Sequence, residues 1–382
     1  MYAVVLFGGL AVLAVALTLW QWLAARRFPL HARTAVADFA PAVTVLKPCK
    51  GADATSRDSL RSWFQQEYAG PVQILFGVAD AGDPVVGVIR GLLAEFPGVA
   101  AELVVCADLQ GTNAKVAKLA QLEGRARHGL ILVSDADVRV PGDFLANVVA
   151  PLQDSANGLV CCFYRLANPV NAAMRCEAVA INADFWSQVL QSAMMQPVDF
   201  ALGAVMLVRR TALAEIGGFA ALADCLADDY QLGHRVARRG RRIALCPLVV
   251  ECWDSPSDWA GVWKHQLRWA RTIRVCQPGP YFLSVLANAS LWVGLFMLIG
   301  LVGGAGGWVL PVGLGLLGVR IWLAMDLQRR FTPDRRLVSE WWLVPVKDWL
   351  NAGIWLAAFT GNTIEWRGRR MRLQPDGTLR ER

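Results

Sequence analysis

Three stretches of this chain are too apolar to rest in water. Between the first two lies a long segment in which short apolar runs alternate with amphipathic ones. Tyr2 to Ala25 is long enough to cross a bilayer as one helix. Arg26, Arg27 and Arg33 follow it. Positive charge after the apolar core, with no Ala-x-Ala site, predicts an uncleaved anchor whose following segment is cytoplasmic. A second block, Tyr281 to about Met325, is broken by Gly303, Gly304, Gly306 and Gly307 and predicts two spans, Phe282–Val302 and Trp308–Met325. The basic loop from Gln328 to Arg336 then returns the chain to the cytoplasm. The third stretch, Trp341 to Thr360, contains Lys347, Asp348 and Asn351. Ionised groups at mid-membrane cost a few kcal/mol each. A single crossing here would also put the basic tail Arg367–Arg372 outside. The stretch therefore reads as interfacial or re-entrant, with Trp341 and Trp342 at headgroup level.

Between Ala42 and Arg274 the pattern is that of strands and helices in turn. Val43–Leu46, Val72–Ala79, Glu102–Cys106 and Gly129–Val133 read as buried strands; Ser59–Glu67, Pro84–Phe96 and Ala114–Arg127 read as helices between them. This order predicts a mostly parallel mixed sheet with helices on both faces, an α/β class. Further on, Gly158–Tyr164, Ala204–Arg209 and Ile243–Cys252 read as strands. Asn171–Met195, Asp229–Arg239 and Ser257–Arg274 read as helices, the second ended by Gly240. The last mixes Trp259, Val262, Trp263 and Leu267 with Arg268, Arg271 and Arg274 just before a span, as an interfacial helix does.

Composition narrows the class. Of 382 residues, 55% are hydrophobic and 18% charged, which excludes an ordinary soluble enzyme and suggests two or three units. The net charge of +7 is accounted for by topology and anionic lipid, and no basic–aromatic module points to nucleic acid. Nine cysteines without a Cys-x-x-Cys pair read as reduced structural thiols, and four histidines, none clustered with cysteine, argue against a zinc site.

Candidate chemistry gathers at strand ends. Asp135 and Asp137 leave the strand Gly129–Val133 one residue apart, where hard oxygen ligands suit Mg²⁺ or Mn²⁺ against a diphosphate. Ligands of open α/β sheets bind at that edge. Asp80 ends a strand in the same way, although a lone Asp there is also an ordinary turn residue. Asp228 and Asp229 open a helix, where a capping role competes with a chemical one. His265, Arg268 and Trp269 stand at i, i+3 and i+4 and share one helix face.

The ordered set Lys47-Pro48-Cys49-Lys50-Gly51-Ala52-Asp53, Val78-Ala79-Asp80, Asp135-Ala136-Asp137, Ala227-Asp228-Asp229-Tyr230 and His265-Gln266-Leu267-Arg268-Trp269 resembles the ceramide glucosyltransferase family of inverting glycosyltransferases. Gly111-Thr112-Asn113-Ala114-Lys115 resembles that family's Gly-x-Asn-x-Lys stretch. The layout is most similar to the bacterial hopanoid-biosynthesis glycosyltransferases. Position 265 departs from the family, which carries Gln or Arg there; both can donate a hydrogen bond, so donation is the property expected of His265.

The resemblance implies a GT-A nucleotide-sugar-binding domain over 42–275, a transmembrane anchor over 1–26, and two transmembrane helices over 281–326. A basic loop, an interfacial or re-entrant segment and a cytoplasmic tail fill 327–382. It implies a multi-pass protein of the bacterial inner membrane with a cytoplasmic catalytic domain. The reaction implied moves a sugar, N-acetylglucosamine first, from a UDP-sugar donor to a hydroxyl of a membrane lipid acceptor of hopanoid or sphingolipid type. Lys47, Lys50, Asp80, Asn113, Lys115 and Asp135 are implied in nucleotide-sugar binding, and Asp135 and Asp137 in holding Mg²⁺ or Mn²⁺. Asp229 is implied as general base, with His265, Arg268 and Trp269 completing the catalytic set. The acceptor is expected to enter near Trp186 and Trp263. A ceramide or other lipid glucosyltransferase differs only in sugar and acceptor. A processive polysaccharide synthase would need a channel that two or three spans cannot build. An inactive membrane scaffold leaves the carboxylates at strand ends unexplained.

Overall fold

Runs such as Val43-Thr44-Val45-Leu46, apolar on both faces, can be buried only in a sheet covered on both sides. In a computed structural model describing residues 1–332, 340–366 and 369–381, all six residues of the strand β1 (Val43–Pro48) are buried. Residues 333–336 of the basic loop and 367–368 of the basic tail lie outside the described residues. The chain forms two units. One comprises Met1–Phe28, which holds helix α1 (Tyr2–Arg27), with Pro169–Met195 and Pro256–Asp376. The other comprises Pro29–Asn168, Gln196–Ser255 and Gly377–Arg382. Residues 169–195 and 256–275, inside the expected 42–275 segment, thus group with the apolar helices.

The second unit is built on one eight-stranded sheet. Its strands are β1, β2 (Val72–Val78), β3 (Ala101–Val105), β4 (Leu130–Ser134), β5 (Val138–Arg139), β6 (Asn157–Leu166), β7 (Val205–Arg209) and β8 (Arg242–Cys252), in the order 3-2-1-4-7-6-8-5. The run 3-2-1-4 is parallel, and β7 lies antiparallel between β4 and β6. β6 and β8 are parallel, and β5 is antiparallel to β8. The mostly parallel mixed sheet read from the sequence is therefore the one observed. Its helices are α2 (Ser56–Phe64), α3 (Val85–Glu95), α4 (Ala114–Glu123), α5 (Phe144–Val149), α8 (Arg210–Glu215) and α9 (Asp228–Arg238). Leu60, Trp63, Ile74, Phe76, Leu132 and Phe144 form its core, with Trp63 edge-on to Phe144 at 5.8 Å. β5 and α5 escaped the sequence reading, because two and six residues carry too little periodicity.

Register decides where the chemistry lies. Val43 to Leu46 pair with Leu130 to Val133, and Val43 to Pro48 with Val72 to Gly77. The three strands therefore end at one edge, which carries Lys47 to Lys50, Asp80 and Asp135.

In the first unit, α6 (Ala172–Val179) and α7 (Trp186–Met195) are joined by a π-helical stretch, Ala180–Phe185, in place of the single regular helix expected. α10 (Trp259–Cys276) starts at Asp258, whose carboxylate accepts from Gly261 N–H at 2.8 Å. α11 (Pro278–Leu283), α12 (Ala289–Val302), α13 (Gly306–Phe331) and α14 (Leu343–Ala358) follow, then a hairpin of β9 (Thr363–Trp366) and β10 (Arg369–Leu373). The short β11 (Leu379–Glu381) belongs to the sheet unit. α1 and α13 are long and apolar enough to cross a membrane, which makes the chain membrane-associated.

Two span boundaries are corrected. Phe282–Val302 is not a straight helix. The chain bends by 52° at Asn288, whose side chain caps α12 by accepting from Leu291 N–H. Trp308–Met325 lies within the longer α13, whose polar last turns are held in place: Trp22 Nε1 donates to Asp326 at 2.7 Å, and Gln328 is buried. Val4 packs with Val309, and Trp22 meets Asp326, so α1 and α13 run in the same direction. Arg26, Arg27, Arg329 and Arg330 consequently share one end of that unit.

The ionised residues of α14 are buried. Arg320, in α13, donates to Asp348 Oδ2 at 2.9 Å and to Asp184 Oδ2 at 2.7 Å. Lys347 pairs with Asp184 and with Asp348, and Ser290 Oγ donates to Asp348 at 2.6 Å. Two cations and two carboxylates pair with one another, which offsets part of the cost that Lys347 and Asp348 would carry alone. Removing one member of such a set leaves an uncompensated buried charge. Asp348→Asn is expected to cost about 3–5 kcal/mol of stability, read as a lower melting temperature of the full chain in detergent. An unchanged melting temperature would show that the network holds nothing together.

Candidate active site

The turn after β4 is supported from below by a buried lysine. Lys47 is fully buried; its ammonium donates to Ser134 Oγ at 3.2 Å and to the Asp135 carbonyl, and lies 4.6 Å over the Trp63 ring. Trp63 Nε1 in turn donates to the Val138 carbonyl at 3.0 Å. Burial lowers the Lys47 ammonium to about 8, against the pull of Asp137 and Asp135. Lys47 was expected to touch the nucleotide. With no exposed atom, it instead holds the 134–138 turn in shape.

Above it, negative charge is in surplus. The Asp137 carboxyl is pushed up to about 8, first by burial and then by Asp135 and Asp254 beside it. Carboxylates crowded this way take up a proton or a cation. Among the described residues no three acidic, His or Cys side chains form a ready-made metal cage. Mg²⁺ and Mn²⁺ need none when one or two carboxylates are completed by substrate phosphate and water, so the pair fits such an ion.

Lys115 ties this turn to the second acidic element. It is 9% exposed, and its Nζ lies 2.8 Å from Asp135 Oδ1 and 3.2 Å from Asp228 Oδ2. Burial opposes its charge, but Asp135 and Asp228 outweigh it and keep the ammonium protonated. Asn113 sets the lysine at the start of α4. Its carboxamide oxygen accepts from Lys115 N–H at 3.1 Å and Val116 N–H at 3.3 Å, and its Nδ2 donates to the Cys225 carbonyl at 2.8 Å. Asn113, expected at the nucleotide, is fully buried with both ends spent and caps α4. Gly111 stands at φ +95° where a Cβ would fall 2.7 Å from the Ala223 carbonyl oxygen, so glycine lets the two loops meet.

That second loop delivers Asp228 and Asp229. The helix α9 is capped by Ala227 without a side-chain bond, so neither aspartate is the N-cap; both stand in the first turn. Burial, then Asp228, raises the Asp229 carboxyl to about 6, with Lys115 and Tyr230 N–H opposing. The base candidate is thus poised near neutral pH. Gly203 makes room for it, since a Cβ there would lie 2.7 Å from Asp229 Oδ2. Gly203→Ala is expected to displace the carboxylate and lower kcat about tenfold or more, because misplacement by an ångström can cost that much. Unchanged kcat would show that Asp229 can move without penalty.

Asp80 is exposed and accepts from Gly82 N–H at 2.9 Å, which is the turn-residue reading. Lys50 is exposed at the same edge. Asp83, which the sequence did not single out, accepts from Gly51 N–H at 2.9 Å and fixes the Lys50 loop.

The His-x-x-Arg-Trp element lies on α10, in the helix unit. His265 Nδ1 is 2.8 Å from Glu177 Oε1, and its ring is 4.5 Å from that of Trp269. Phe185 stands 6.5 Å from Trp269. Arg271 donates to the Thr363 carbonyl and Arg274 to Asn362, so these cations hold the start of β9. Trp186, expected where the acceptor enters, is fully buried and stacked on Phe331 at 5.0 Å. Glu177 and Asp254 were missed, because each touches its partner only through tertiary packing.

A family model described as glycosyl transferase family 21 matches residues 6–379. Ceramide glucosyltransferase 1 of Caenorhabditis elegans is 23% identical over 358 residues, covering 89% of this chain and 73% of that protein. The ceramide glucosyltransferase of Candida albicans is 32% identical over 126 residues, which span 30% of this chain and 23% of that protein. Among solved structures, the mannosyltransferase PcManGT from Pyrobaculum calidifontis, in complex with GDP-Man and Mn²⁺, superposes with a TM-score of 0.51 at 20% identity. It covers 91% of this chain and 99% of its own, and the likeness is to the GT-A fold expected from the sequence.

Proposed function

The chain belongs to glycosyl transferase family 21 and is a sugar-transferring enzyme, and we propose that it moves a sugar from a UDP-sugar to a hydroxyl of a membrane lipid with inversion. The observation that carries this reading is the meeting of Asp135, Lys115, Asp228 and Asp229 at the carboxyl edge of the sheet. In it, Asp229 takes the proton of the acceptor hydroxyl, the freed oxygen attacks the anomeric carbon, and the bond to the UDP oxygen breaks on the opposite face. An α-linked donor gives a β-glycoside. Asp135 and Asp137 are the residues proposed to hold Mg²⁺ or Mn²⁺, which when bound neutralises diphosphate charge. A divalent metal agrees with the Mn²⁺ complex of the mannosyltransferase. Lys115 bridges Asp135 and Asp228 and so ties the proposed metal turn to the loop that carries the proposed base. Lys50 and Asp80 are proposed at the nucleoside, Arg268 at the leaving phosphate, and Trp269 against the sugar or acceptor ring.

N-acetylglucosamine and a polyol hopanoid such as bacteriohopanetetrol are proposed as sugar and acceptor from the layout of the motifs. Ceramide with glucose is the second reading, favoured by the names of the curated relatives. Mass spectrometry of lipids made by the full chain from UDP-GlcNAc or UDP-glucose, offered hopanoid, sterol and ceramide, separates the two. No glycolipid from any pair would overturn the proposal.

A bacterial inner-membrane location with the catalytic unit cytoplasmic is part of the same proposal. Leu226 N–H donates to the Gly377 carbonyl at 3.2 Å and Leu379 N–H to the Asp224 carbonyl at 2.8 Å, which supports the tail lying on the catalytic side. A cysteine at the exposed Asp376 (Asp376→Cys) is expected to resist an impermeant thiol reagent in intact cells and to react after lysis. Labelling in intact cells would mean that Trp341–Thr360 crosses once.

A further inference from the structure

His265, on α10, has a buried acidic partner. Glu177 rises from α6 with its side chain 5% exposed, while the His265 side chain is 31% exposed. Glu177 Oε1 lies 2.8 Å from His265 Nδ1 and 2.7 Å from Gln266 Nε2. An ionised carboxylate only accepts, so both nitrogens donate to it and Nδ1 carries the ring hydrogen. A neutral imidazole has one N–H, and Nε2 is then left with its lone pair. The donor expected at this position is thus already committed, and what a neutral His265 has to offer is an acceptor. The ring sits against Trp269, with Phe185 beyond. An acceptor atom beside aromatic rings suits a hydroxyl carried on a sugar ring or on an apolar lipid.

We propose that Glu177 and His265 form a carboxylate–imidazole pair in which Glu177 is a positioning residue and His265 Nε2 accepts a hydrogen bond from a substrate hydroxyl. The hydroxyl belongs to the transferred sugar or to the lipid acceptor. The inference rests on the transfer reaction proposed above. Glutamine at this position could also accept, through Oε1, whereas arginine has no acceptor.

The test uses the full chain in detergent, with kcat and KM measured separately for donor and lipid acceptor. His265→Ala and Glu177→Gln are each expected to lower kcat/KM about tenfold or more. In the His265→Ala background, Glu177→Gln is expected to add less than about twofold, since the carboxylate acts through the imidazole. His265→Gln is expected to keep substantial activity and His265→Arg to lose it. A raised KM for the UDP-sugar assigns the hydroxyl to the sugar, and a raised KM for the lipid assigns it to the acceptor. Calorimetric binding of Mn²⁺ and UDP, unchanged in each variant, shows that the fold is intact. Equal losses from Glu177→Gln in both backgrounds would make Glu177 merely structural and overturn the proposal. Full activity of His265→Arg would restore donation as the role and overturn it too. Transfer by the wild type with an unimpaired Glu177→Gln variant defeats this inference alone; absence of transfer by the wild type defeats the underlying reaction and the inference with it.

Discussion

Exchanging Asp229 for Asn is expected to lower turnover by about 10²–10⁴-fold while donor binding stays near the wild-type value, because loss of a general base carries that penalty. The carboxylate is the only part of the side chain that changes, and Gly203 leaves space for an amide of the same size. Its pH signature follows from the raised carboxyl. A base works deprotonated, so kcat/KM should rise with pH through about 6 and level above it, with unit slope on the acid side. In Asp229→Asn the residual rate should lose that limb. A residual rate near wild type would move the base elsewhere, and a limb near 4 would mean that burial and Asp228 do not act on Asp229 as described.

Removing divalent metal is expected to abolish transfer, with Mg²⁺ or Mn²⁺ restoring it. The surplus charge around Asp137 allows a reading that needs no activity. Mn²⁺ with UDP should raise the melting temperature of the wild-type chain, since a ligand that binds only the folded state stabilises it by mass action. In Asp137→Asn the rise should be small. The variant without metal should be no less stable than the wild type, because a carboxyl crowded by Asp135 and Asp254 has been replaced by a neutral group. Transfer at the full rate in metal-free buffer would remove Asp135 and Asp137 from the metal-binding role.

The α/β class and the strand ends were legible because apolar runs of five or six residues, buried on both faces, have no soluble alternative to a covered sheet. Asp135 could be singled out for the same reason: a polar residue that closes such a run must emerge at an edge, whereas Asp229, in the first turn of α9, was picked out only through the resemblance of the ordered motif set. The depth of Lys47 and Asn113 was not legible, because a motif gives residue type and spacing but not burial. Both lie beneath the edge, one supporting the Asp135 turn and the other capping α4. The 52° bend at Asn288 and the π-helical stretch Ala180–Phe185 were also hidden, since hydropathy records length and polarity but not backbone hydrogen bonding.

By itself, the sequence determined the apolar helices, the order of strands and helices, and the spacing of the acidic motifs, because each depends on neighbours within a few residues. Tertiary structure alone decided which charges meet. Lys115 reaches Asp135 and Asp228 only when α4 and α9 are set by the sheet, and Glu177 reaches His265 only when α6 lies against α10. It also decided that Lys347 and Asp348, costly in an isolated apolar helix, are neutralised by Asp184 and Arg320. The physical reason is the same in each case. Charge pairing and desolvation act through space over a few ångströms, between residues tens to more than a hundred positions apart in the chain.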